Sequence, residues 1–477
     1  MTKTNQPQED YAMSIITQGY ENNQECESRI SKFFSSYKIG DLLRKCGAGK
    51  EKGVAIVQIF RYLLCLMFSD RSMYMQITTK RFKEDYSKNT VYRFLNNSRI
   101  NWERFTTILS ERIINGFMRP LTSENREDIF VIDDSAYHKR GYRKTELVAR
   151  VFDHVSMTYV KGFRMLSLGW SDGNSFVPIT HRLLSSTKDE NVLGVKTAFD
   201  KRSIAFKRRR QAREKATDVM LDMLKQAKKA GHHAKYVLFD SWFSNPKEII
   251  RISEDCHLDT IAMVKKSSKI CYEFEEEKLN IKQIFARSKK RRGRSRYLLS
   301  VKVKVSYTDE KNVLHTIPAK IVCVRNRSNR KDWLAIICTD MELDEKEIIR
   351  IYGKRWDIEV FFKTCKQMLK LESECKSLSY DALTAHVSIV FTRYMVLSVE
   401  KRLNEDDRTV GELFFLMADE LQDITFNQSM AIIVQAFIDS VQEFLHLTDD
   451  QINSLLANFV SRLPAYLRNS LHIAQAA

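Results

Sequence analysis

The stretch "YGKRWDIEVFFKTCK", Tyr352–Lys366, sets a tyrosine, an arginine, a glutamate and a lysine at spacings of three, four and seven residues among bulky apolar neighbours. Successive residues of an α-helix turn by ~100°, so Tyr352, Arg355, Glu359 and Lys366 fall within roughly 60° of one another, on one face. On a solvated helix such a stripe does little more than add an Arg355–Glu359 pair worth about 0.3 kcal/mol. Trp356, Phe361 and Phe362 argue instead for a helix buried over much of its surface, where an acid among cations is a mark of chemistry.

Just upstream, residues 265–340 read as a strand-rich block. "LLSVKVKVSY" alternates apolar and polar residues, "TIPAKIVCVRNR" follows, and "DWLAIICTD" closes it. At its base lies "KKRRGRSR", Lys289–Arg296, the densest cationic run in the chain. Lys289, Lys290, Arg291 and Arg292 form a solvated loop or, beside an acidic site, a phosphate track.

Further upstream, from Ile129, "IFVID" runs into Asp133 and Asp134. "FRMLSLGWSDG" and "SFVPITHRLL" then make a hairpin around an Asp-Gly turn. "EKATDVMLDMLKQAKKAG" is a helix closed by glycine, and it leads into "AKYVLFD", a continuous apolar strand ending in Asp240. Strand, hairpin, helix, strand and helix make an α/β domain whose acids gather at strand ends, where sites in such sheets form.

The flanks are helical. Before about Pro120 lie the apolar run Val54–Phe68 and "SKNTVYRFLNN", which is either a packing helix or a DNA-reading one presenting Thr90, Arg93 and Asn97. After "YDALTAHVSIVFTRYMVLSVEKRL" the chain is amphipathic and partly acidic, suited to completing the core or to dimerisation. The organisation expected is a helical region 1–120, a core in two parts at 121–264 and 341–400, an insertion at 265–340 and a helical region 401–477.

Composition fits this division. The 477 residues are 43% apolar and 10% aromatic with only 6 prolines, enough for several cores and against long extended linkers. The 78 Lys and Arg against 60 Asp and Glu leave +18, which calls for a polyanionic partner. Nine scattered cysteines without a C-x-x-C pair read as reduced thiols. The Val54–Phe68 run is shorter than the ~20 apolar residues of a membrane span and carries Gln58 and Arg61. The expected location is the cytoplasm, beside the nucleoid.

Asp133 or Asp134, Asp240 and Glu359 are hard oxygen donors without His or Cys, a set that suits Mg²⁺, with Mn²⁺ as substitute. Two such ions serve phosphodiester cleavage. Lys366, ~10 Å along the helix from Glu359, is too far to touch an ion there and well placed for an adjacent phosphate.

The motif Y-x2-R-x3-E-x6-K, met by Tyr352, Arg355, Glu359 and Lys366, resembles the signature of a large group of bacterial insertion-sequence DDE transposases. The resemblance covers about Ile129 to Lys376 and implies an RNase H-like core with an acidic triad and a β-strand insertion before the glutamate. It also implies Mg²⁺-dependent cutting at transposon ends and joining to target DNA, by a homodimer that holds double-stranded terminal inverted repeats. Asp240 and Glu359 match the second and third acids. The family's Asp-x-Thr pattern favours Asp133 as the first, while the strand alignment favours Asp134. Tyr352, Arg355 and Lys366 would hold phosphates of the cleaved end, and Trp333 would stack on a flipped base, unless it is a core residue. Readings from other classes are a non-catalytic DNA-binding relative and a nuclease of the same fold without strand transfer.

Overall fold

The computed structural model describes residues 29–403, apart from 50–51, 69–71, 81, 83, 124–125, 154–155, 293–294, 327–328 and 330–331, together with 449–462. The chain divides into two compact units: Met1–Ser36 with Gly411–Ala477, and Tyr37–Val410. In the first, the described elements are helix α1 (Arg29–Ser36) and helix α14 (Asp449–Arg462). The acidic amphipathic region expected to dimerise falls largely on residues 404–448 and 463–477, outside the described residues. All that follows concerns the second unit.

It opens with α2 (Ile39–Lys45), α3 (Ile56–Cys65), α4 (Met73–Thr78), α5 (Lys88–Leu95) and α6 (Trp102–Ile113). Asn101 caps α6 by accepting the Arg104 N–H at 3.0 Å. Trp102, fully buried, packs on Phe60, Phe94 and Phe105 with ring centroids 5.7–6.2 Å away, which ties α3, α5 and α6 together. On α5 the apolar Val91, Phe94 and Leu95 face this core, leaving Arg93 exposed and Thr90 and Asn97 half-buried.

The central sheet then forms. β1 (Ile129–His138), β3 (Thr158–Ser171) and β4 (Phe176–Leu184) are antiparallel neighbours, while β5 (Tyr236–Phe239) and β6 (Asp259–Met263) run parallel to β1 on its other side. The order β4-β3-β1-β5-β6 is an RNase H-like core. β2 (Ala149–Asp153), not anticipated from sequence, shares the outer edge of β3 with β4, pairing Thr158–Gly162 where β4 pairs Arg164–Ser171. Helix α7 (Ile204–Gln211) and helix α8 (Ala216–Lys229) precede β5, and α9 (Pro246–Cys256) joins β5 to β6.

The strand-rich block is not set apart from this sheet. It holds β7 (Cys271–Phe274), β8 (Glu277–Asn280), helix α10 (Ile281–Arg287), β9 (Leu299–Thr308), β10 (Leu314–Arg325) and β11 (Trp333–Cys338). β11 pairs antiparallel with β6, Ile336 opposite Met263 and Cys338 opposite Ile261, so one sheet runs from β2 to β8. Helix α9 packs on β6, β9 and β10 alike.

Helices α11 (Glu345–Gly353), α12 (Trp356–Gln367) and α13 (Tyr380–Leu403) complete the unit. α13 is long and apolar enough to cross a membrane, but its apolar window is wholly buried inside the unit. Its polar side chains are bonded internally: Ser388 to the Thr384 carbonyl, Thr392 to that of Ser388, and the fully buried Arg393 to Glu374 and to the Leu64 and Leu369 carbonyls. The described cysteines are unpaired, most of them buried.

Candidate active site

β1 and β5 stay hydrogen-bonded from Ile129–Tyr236 to Val131–Leu238, and both are apolar and buried over that length. Two residues on in the same register stand Asp133 and Asp240, where β5 has ended. Side chains alternate along a strand, so Asp133 and Asp134 leave opposite faces of β1. Asp240 accepts the Trp242 N–H at 2.9 Å, which fixes its carboxylate at the turn.

Glu359 comes from the quoted stretch, which is not one helix. α11 ends at Gly353 and α12 starts at Trp356, with i→i+3 bonds from Lys354 N–H to the Ile351 carbonyl and from Arg355 N–H to that of Tyr352 between them. The corner is pinned. Lys354 donates to the Glu127 carbonyl at 2.9 Å, Arg350 pairs with Glu127 at 2.7 Å, and Asp357 accepts the Ser171 hydroxyl at 2.7 Å. Phe361, fully buried, meets Phe176, Phe391 and Tyr394 within 5.2 Å and sets the inner face of α12. Trp356, expected inside, is instead 62% exposed because it opens the new helix at this corner.

The corner keeps Tyr352, Arg355 and Glu359 together. Arg355 reaches across to β1, donating from Nη1 to Asp133 Oδ2 at 3.0 Å and from Nη2 to Glu359 Oε1, and its guanidinium lies 5.9 Å from the Tyr352 ring centre. Burial pushes the Asp133 carboxyl up to about 8, and the Asp240 charge adds to the rise while Arg355 opposes it. Burial also raises Asp240, against the pull of the Trp242 N–H, with the Asp134 charge adding. Burial pushes the Tyr352 hydroxyl up to about 12.

Asp134 has another partner. Arg164, diagonally across on β3, pairs with it at 2.5 Å and lies 5.2 Å from the ring centre of Trp242, which Lys265 also approaches at 5.3 Å. Arg164 was missed from sequence, because only the register Asp134–Leu166 and Ala136–Arg164 brings it there.

The remaining expected contacts are dispersed. Lys366 donates to the Ala136 carbonyl at 2.9 Å and pairs with Glu372 at 3.1 Å. Trp333 stacks on Phe285 with centroids 4.1 Å apart, and the Lys266 ammonium lies 4.4 Å from its ring centre. Lys289, Lys290, Arg291 and Arg292 lie on the segment between α10 and β9; Arg291 covers Tyr297 at 4.3 Å and Lys290 bonds the Ala286 carbonyl at 3.1 Å. Among the described residues, none of these four bonds to Asp133, Asp240 or Glu359.

Among the described residues, no three acidic, histidine or cysteine side chains converge as a finished metal cage. The donor chemistry nevertheless fits a divalent cation. Asp133, Asp240 and Glu359 offer carboxylate oxygens alone, and the first two are raised by burial and by like charge, a cost that an added cation relieves.

No curated protein matches the sequence. A family model described as DDE superfamily endonuclease matches residues 58–331, more than half of the chain, and so takes in Asp133, Asp134 and Asp240 and ends before Glu359. Nucleases of that superfamily generally use divalent metals such as Mg²⁺. With strand-end acids on an RNase H-like sheet and that match across most of it, the chain belongs to the DDE superfamily endonucleases.

Proposed function

We propose that this endonuclease is the transposase of an insertion sequence, cutting DNA at the element's ends and joining the freed 3′ ends to target DNA. The observation that carries the reading is Arg355 holding Asp133 of β1 and Glu359 of α12 around one guanidinium, beside Asp240. Asp133, Asp240 and Glu359 would hold divalent cations. Bound there, such ions activate the attacking water or 3′-hydroxyl and stabilise the leaving oxygen of a phosphodiester.

The protein's own residues supply position and charge. β1 and β5 fix two acids in register, and the pinned corner delivers the third. Tyr352 and Arg355 line the approach to Glu359 and bind phosphates of the cleaved end. The Lys366 ammonium has three donors, so its bonds to Ala136 and Glu372 leave one for a phosphate oxygen. The +18 charge draws the DNA in, and a homodimer would hold two ends at once.

The test is an excision and strand-transfer assay with Mg²⁺ on a plasmid carrying the gene's own flanking DNA, comparing wild type with Glu359→Gln. Wild type should release a double-ended fragment and join it to a target. The variant should bind the ends with near-normal affinity and cut at least about 10³-fold more slowly, on the scale of losing a group that stabilises the transition state. Cutting without joining by wild type would leave a nuclease; undiminished cutting by Glu359→Gln would remove that residue from the site.

A further inference from the structure

Both oxygens of Asp133 are in use. Oδ1 accepts the Asp134 N–H at 2.8 Å and Oδ2 accepts Arg355 at 3.0 Å. The first bond lies within the strand and travels with it. The second comes from a side chain 222 residues along the chain that also holds Glu359. The Arg355 side chain is only 16% exposed, Asp133 15% and Glu359 35%, so the three charges meet where water screens them poorly.

A dication bound by Asp133 and Glu359 would sit where the guanidinium now sits. Monocation and dication within a few ångströms of each other in a half-buried place repel strongly. The acids can therefore keep one or the other. Resting on the proposed function of this site, we propose that Arg355 is a built-in counter-ion that gathers Asp133 and Glu359 before a divalent ion loads, and competes with that ion for them. Loading then frees the guanidinium toward solvent and the phosphates of bound DNA. Arg355 is thus a positioning residue in the ion-free protein and a DNA contact in the loaded one. A merely supportive Arg355, orienting Glu359 for the ion, predicts the opposite sign when it is removed.

The experiment is calorimetric titration of Mn²⁺ into the full chain without DNA at pH 8, for wild type, Arg355→Gln, Arg355→Lys and Arg287→Gln, with melting temperatures recorded with and without Mn²⁺. Arg355→Gln should bind Mn²⁺ about tenfold more tightly than wild type, melt lower without the ion and gain more from it. Arg355→Lys, whose single ammonium cannot fork between two carboxylates, should fall in between. Arg287→Gln, which breaks pairs with Glu275 and Glu277 in the inserted block, should match wild-type affinity. Unchanged or weaker Mn²⁺ binding by Arg355→Gln overturns the proposal. If that variant does not fold, tighter binding by Arg355→Lys supports it and equal or weaker binding overturns it. Because no DNA is present, a failure of strand transfer by wild type would sink the transposase reading and leave this result standing.

Discussion

Asp133 and Asp134 are adjacent in sequence and opposed in surroundings. Asp133 faces Arg355 and Glu359, and Asp134 is closed by Arg164. The sequence showed an apolar strand running into acids, since "IFVID" changes character abruptly, but left the choice between neighbours open. Their partners sit at positions 355 and 164, which only the folded register brings near. Asp133 should show its place by pH. In the ion-free native state the Asp133 carboxyl titrates near 8, while in the unfolded chain it lies in the ordinary range near 4. Between these values the native state holds the extra proton, so stability falls as pH rises from about 4 to about 8. Denaturant midpoints measured in a chelator at pH 5 and pH 8.5 should drop more in wild type than in Asp133→Asn. Asp134→Asn should keep the Mn²⁺-induced stabilisation, which Asp133→Asn loses. Equal drops in wild type and Asp133→Asn would remove Asp133 from its assigned place.

At the scale of elements, the stripe 352–366 reads from periodicity as one continuous helix, but the structure breaks it, keeping Tyr352, Arg355 and Glu359 together and leaving Lys366 on Ala136 and Glu372. Periodicity cannot register a two-residue tightening of the turn. Gly353, at the end of α11, was the available signal. The break matters because it hangs Glu359 from a corner that other elements hold. Gly173, in the β3–β4 turn, has φ +84°, and a Cβ there would lie 2.8 Å from Lys354 Cε, on the side chain that bonds the Glu127 carbonyl. Gly173→Ala should cost about 1–2 kcal/mol for its left-handed backbone, while Gly173→Asn should cost less because asparagine tolerates that region. At a temperature where both variants are folded, Gly173→Ala should also cut DNA several-fold more slowly, because Lys354 must move. Lost stability with unchanged cutting would show that the corner does not position Glu359.

For the molecule as a whole, composition and strand patterning showed a core, a block of strands within it and helices around it, but not how the block attaches. Alternation along "LLSVKVKVSY" states which face is buried and nothing about which edge is paired. Pairing of β11 with β6 makes the inserted strands an extension of the RNase H-like sheet, with α9 packed across the junction. Apolar residues on both sides of that seam, Ile261 and Ala262 against Ile336 and Ile337, are almost completely buried. A block joined in this way cannot unfold without exposing the edge of β6, so the unit Tyr37–Val410 should lose structure in one cooperative step. The five tryptophans, 102, 170, 242, 333 and 356, provide the probes. One variant retaining only Trp170 reports the core, where it is fully buried on β3, and one retaining only Trp333 reports the inserted strands. Their fluorescence transitions in urea should coincide in midpoint and slope, each referenced to the far-ultraviolet circular dichroism of the same variant. A Trp333 transition clearly preceding that of Trp170 would mean that the inserted strands fold as a separate unit and that the β6–β11 seam contributes little to holding the sheet together.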